Sequence, residues 1–114
     1  MSAAAARQTL IGFATRIQNG GYAQACAMFT PAVRARLDRD FGGCQRNLAN
    51  LHALAQSQRA RGLQDVLQRT IDRVKTARFS ISGDTARTTA IGRPGTVTRL
   101  VFAHGHWEIG TPAT

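Results

Sequence analysis

No apolar run in this 114-residue chain approaches the ~20 residues that a helix needs to span a bilayer, so a transmembrane segment is excluded. Internal repeats, low-complexity tracts and linkers are also missing, and the length suits a single domain over residues 1–114 with its own core. The opening MSAAAARQTL lacks the long apolar middle of a secretory signal. Two expectations follow: a cytoplasmic protein, or a chain whose leader has been removed. There is no glycine-rich phosphate loop, no Ser-His-Asp order and no CxxC pair. These gaps remove the most legible routes to nucleotide, triad and zinc chemistry.

Lysine is nearly absent. Fourteen arginines and Lys75 face six acids, for a net charge of +9 and an isoelectric point near 11.6. Such a balance invites a nucleic-acid reading. The arginines are scattered, however, and their densest cluster, RARLDR, already contains an acid. Specific nucleic-acid binding is therefore not expected. Loose, salt-sensitive adhesion to anionic polymers requires net charge alone.

The first part of the chain is patterned for helices. Ala6, Leu10, Phe13 and Ile17 follow helical spacing and predict a helix over residues 3–18, stopped by NGG at 19–21. Tyr22, Ala25, Cys26 and Phe29 form a short second stripe. Thr30-Pro31 reads as an N-cap followed by proline at the first helical position, and Val33, Leu37 and Phe41 are the predicted buried face of the helix that follows. GG at 42–43 ends it. Cys44, Leu48, Leu51 and Ala55 mark another helix to about residue 60. Gly62 breaks it, and Leu63 to Val74 extends as one more.

From there the period shifts toward two. Ala77, Phe79 and Ile81 alternate with Arg78 and Ser80, and SGDT at 82–85 turns the chain into ARTTAI. GRPG at 92–95 is the next turn. TVTRLVFA is a strong strand, and HGH at 104–106 returns it as WEIG. The expected class is α+β: three to four helices followed by a meander of about four antiparallel strands. On the third strand, Val97, Val101 and Ala103 face one way while Leu100 and Phe102 face the other. One face meets the helices. A homodimer packed through the sheet would cover the second face, as would the chain's own loops.

The two cysteines, Cys26 and Cys44, share stripes with core residues. A metal reading lacks ligands, the redox spacing is wrong, and a nucleophile would have His52 as its one candidate base. Position leaves two readings open, a disulfide or two buried thiols. A bridge would close a loop of about 18 residues and contribute roughly 3 kcal/mol in the chain-entropy account.

Read in order, the short helix with Cys26, the Thr30-Pro31 opening, Cys44 near the next helix start, Gly83-Asp84-Thr85-Ala86 and the closing Trp107-Glu108-Ile109 resemble the small NTF2-like domains of exported proteins and lipoproteins of actinobacteria. The likeness runs over about residues 5–110. The stretch 52–72 departs from it, being longer and more helical. The resemblance implies a cone-shaped fold with helices closing one side of a curved sheet. It also favours a Cys26–Cys44 disulfide and an extracytoplasmic location, secreted or associated with the cell envelope.

In that superfamily a pocket lies between helices and sheet, and pocket Asp, His, Tyr or Arg residues carry the chemistry of its enzymes. Phe13, Ile17, Tyr22, Phe29, Leu51, His52, Phe79, Ile81, Arg99, Val101 and Trp107 are the candidate pocket residues here, with a filled core as the plainer reading of the same set. Arg99 would hold an anionic group if it faced inward. His52 and Asp38 are weak catalytic candidates. Asp38 and Asp40 are two apart, so they do not share a helical face and read as ion-paired surface acids. His104 and His106 read as exposed turn residues, and Glu108 points outward if Trp107 and Ile109 point inward. No cofactor or metal is expected.

The leading expectation is a non-catalytic, exported domain that binds an apolar or weakly anionic small molecule or serves as an interaction module. The alternatives are a dehydratase-, isomerase- or hydrolase-type enzyme of the same fold, and a basic adaptor for anionic polymers.

Overall fold

Capping side chains and glycines punctuate the helical part much as the sequence predicts. The computed structural model describes residues 2–60, 66–91 and 95–113. Helix α1 (Ala3–Gln18) starts at Ser2, whose hydroxyl accepts a hydrogen bond from the Ala5 amide at 3.1 Å. It ends where Gly20 takes a positive φ of 77°. Helix α2 (Tyr22–Cys26) is a single short turn. Helix α3 (Pro31–Asp40) opens on Thr30, whose hydroxyl accepts from the Val33 amide. Gly42 and Gly43, both at positive φ, lead into α4 (Cys44–Ala60), and α5 (Val66–Lys75) follows. The class is α+β with five helices among the described residues, one more than the upper expectation. The break at Gly62 and most of the turn at 92–95 lie outside the described residues.

Strands β1 (Ser80–Ser82), β2 (Thr85–Thr88), β3 (Val97–Ala103) and β4 (His106–Ala113) form an antiparallel meander in sequence order. The sheet does not close into a barrel. β1 begins later than the alternation from Ala77 predicts. The amides of Thr76 and Ala77 bond back to the carbonyls of Arg73 and Val74, which spends these residues on finishing α5. The carbonyl of Ala77 accepts from Arg7 Nη2 at 2.8 Å, and the guanidinium of Arg7 lies over the Phe79 ring. The far edge of β4 is not bare. Ile109 exchanges backbone hydrogen bonds with Met28 and Thr30, so the segment after α2 lies along the sheet as a parallel bridge.

One buried cluster occupies the space between helices and sheet. Leu10 and Ile17 from α1, Leu48 from α4, Val74 from α5, and Leu100, Trp107 and Ile109 from the sheet belong to it. Leu48, Leu100 and Val74 are its most completely enclosed large side chains. Phe13 meets Phe29 edge-to-face at 5.1 Å, and Phe102 meets Trp107 the same way at 5.3 Å. Thr88 and Thr98, opposite one another in register, are both buried.

Three expectations about burial need correction. Leu51 is 50% exposed although Leu48 is buried. The inward row of α4 runs Cys44, Leu48, His52 in steps of four. A step of three departs from Leu48 by about 60° on the other side of the helix, which turns Leu51 toward solvent. Phe41, expected on the buried face of α3, is the exposed residue that ends the helix, with φ at −129°. Ile81 is exposed because β1 is the sheet's edge and only three residues long.

Candidate functional site

Helix α2 is tied to α4 at two points. Cys26 and Cys44 form a disulfide with their Cα atoms 6.0 Å apart and 18 positions apart in sequence. Four residues before Cys26, the Tyr22 hydroxyl lies 2.6 Å from Nδ1 of His52, and the two rings meet edge-to-face. The fold thus converts the two open readings of the cysteines into one covalent staple. Such a bond belongs with an oxidising environment.

The catalytic candidates do not converge. The hydrogen bond of His52 goes to Tyr22, not to a carboxylate. Asp38 lies in a different surface groove, with Arg34, Arg46 and the staple. Asp40 pairs with Arg36 and Arg39 at the exposed surface. Among the described residues, no group of three or more His, Cys, Asp and Glu side chains is placed to hold a metal ion, and no helix is long and apolar enough to cross a membrane.

The predicted pocket residues are divided between core and surface. Ile17, Phe29 and Trp107 are buried in the core, and Phe13, Tyr22 and Phe79 pack against it half-exposed. Leu51 and Ile81 are exposed. Arg99 is also exposed, standing opposite Arg87 across the β2–β3 pair. Val101 is half-buried on β3 opposite Glu108.

Glu108 alternates away from Trp107 and Ile109 as expected, opposite Val101, but it is not left open to solvent. The residue is 7% exposed. The β3–β4 turn closes both of its histidines over this side chain: His104 Nδ1 and His106 Nε2 lie 3.7 and 3.5 Å from the same carboxylate oxygen, Oε2. His104 has a positive φ of 56°, and its carbonyl stands 3.1 Å from His106 Nδ1. Simple alternation does not reveal this arrangement, because the turn rather than the strand supplies the cover.

A second groove, of about 500 Å³, runs between α1, α2 and the start of β4. Its walls include Gln8, Arg16, Gln24, Met28, His106 and Trp107. Arg16 Nη1 stands 3.2 Å from the thioether sulfur of Met28, a weak acceptor for a guanidinium. The Trp107 indole N–H is buried with no hydrogen-bond partner. Apart from Trp107, the sequence reading selects none of these residues. The available signal was Gly12, four positions before Arg16 on one helix face. A Cβ on Gly12 would come within 3.0 Å of Arg16 Nη1.

The chain matches no protein-family model, no curated protein and no solved structure.

Proposed function

We propose that this chain is a non-catalytic binding module of the NTF2-like kind, working outside the cytoplasm. One observation carries the reading. The layer between helices and sheet is occupied by the chain's own side chains, Leu48, Leu100 and Trp107 among them. Among the described residues, the groove beside Trp107 offers room for a ligand outside that layer. The staple between α2 and α4 supports the location, since disulfides persist where thiols are not kept reduced. The α+β order, the helices on one side of an open meander and the cysteine positions agree with the NTF2-like resemblance.

The binding unit in this reading is the single chain. A homodimer through the outer face of the sheet would bring two copies of the Arg87–Arg99 pair together, and like charges across an interface oppose association.

A specific observation favours one second reading. Tyr22 and His52, 2.6 Å apart, are a hydroxyl and an imidazole within proton-transfer reach, as a small-molecule enzyme of this fold would require. Native mass spectrometry of unreduced protein, followed by thiol alkylation under denaturing conditions, tests the proposal. A monomer with a retained small molecule and no alkylatable thiol is the expected result. Two alkylatable thiols, or a dimer that persists on dilution, would count against it. Turnover abolished by His52→Gln would move the assignment to the enzyme.

A further inference from the structure

Among the described residues, the groove between α1, α2 and β4 presents one cation, the exposed side chain of Arg16. An exposed guanidinium without a carboxylate partner is free to take an anionic ligand. Here Arg16 lies back along its own helix, against Gly12 and the sulfur of Met28, and no Asp or Glu lines the groove. Glycine inside a helix costs about 0.5–1 kcal/mol relative to alanine. At Gly12 the absent side chain leaves room for the end of Arg16, which a Cβ would meet at 3.0 Å and push outward. Gln8 and Gln24 also line the groove, and Met28 with the edge of Trp107, itself 3% exposed, supplies apolar surface. The indole N–H of Trp107 is buried and has no hydrogen-bond partner. The groove is thus cationic at one point, apolar beside it, and free of competing acid.

Resting on the binding-module reading above, we infer that this groove binds a small organic carboxylate, with Arg16 taking the carboxylate and Met28 and Trp107 taking its apolar body. A single guanidinium matches a monoanion better than a dianionic phosphate ester. The partner is of low molecular weight, because the opening is bounded by α1, α2 and the β3–β4 turn.

Trp107 is the chain's one tryptophan, so a change in emission on titration of the folded protein is read at a residue that lines this groove. Titration of the disulfide-bonded protein with octanoate, octanamide and octyl phosphate, at about 0.15 M salt to screen the general positive field, separates the possibilities. Octanoate is expected to saturate a change in Trp107 emission at a concentration at least about tenfold lower than octanamide, as loss of a charge-assisted hydrogen bond implies. Arg16→Gln should abolish that preference. Gly12→Ala should weaken octanoate binding while the thermal midpoint stays equal or rises, which separates a displaced guanidinium from a damaged fold. Equal affinity for octanoate and octanamide, tighter binding of octyl phosphate, or octanoate binding untouched by Arg16→Gln would each overturn the assignment. Calorimetric octanoate binding that survives Arg16→Gln would sink the groove but leave the binding-module reading standing. His52-dependent turnover would do the reverse.

Discussion

The Tyr22 hydroxyl and His52 Nδ1 lie 2.6 Å apart, linking the first residue of α2 to the middle of α4, while Cys26 and Cys44 link the last residue of α2 to the first of α4. A five-residue helix cannot sustain itself in water, because nucleating a single turn is unfavourable. α2 is therefore held by what it is fastened to. Reduction of the disulfide should lower stability by roughly 3 kcal/mol, measured by urea denaturation with and without reductant. Tyr22→Phe should cost about 0.5–1.5 kcal/mol. A Tyr22→Phe variant as stable as the parent would show that this hydrogen bond does not help hold α2.

Along α4, two leucines three positions apart should behave differently. Leu48→Ala removes an enclosed side chain, 2% exposed, and should cost about 2–5 kcal/mol. Leu51→Ala acts at a half-exposed position and should stay within about 0.5 kcal/mol. Chemical denaturation of both variants checks the α4 register. Equal costs would mean that Leu51, not His52, shares the inward row with Leu48.

Trp107, 3% exposed, should emit as a buried indole and shift to longer wavelength on denaturation. Its transition should coincide with loss of helical circular dichroism if helices and sheet share one core. Separate transitions would contradict a single buried cluster that draws side chains from α1, α4, α5, β3 and β4.

His104 is the described non-glycine residue with a positive φ, a conformation that costs an ordinary residue about 1–2 kcal/mol. Its contact with Glu108 is made from a side chain 76% exposed, and such pairs contribute about 0–1 kcal/mol. Strain relief is thus the larger effect, and His104→Gly should leave stability unchanged or raise it slightly in a thermal melt. A loss above about 1 kcal/mol would show that the cover over Glu108 matters more than the backbone.

Much of the architecture was written locally. Thr30-Pro31 specified a helix start because a capping hydroxyl and a fixed proline φ act within one turn. Gly20, Gly42, Gly83 and Gly105 marked chain reversals because their positive φ is a single-residue property. Burial was less legible. Leu51 and His52 are neighbours in sequence, and which of them turns inward depends on how α4 rotates against its partners. Glu108 alternates outward by strand period, yet becomes buried when a turn folds two imidazoles over it. Those outcomes depend on neighbours that periodicity does not include.

The same division holds for the sites. The sequence by itself determined an α+β domain of net charge +9, two core-facing cysteines and the helix and strand order, since each follows from composition or from spacing within a few residues. Tertiary structure decided that Cys26 reaches Cys44, that Tyr22 meets His52, and that Arg16 and Trp107 line one groove. Each of these depends on how separate elements are placed in space, and no local pattern encodes the distance between side chains 18, 30 or 91 positions apart.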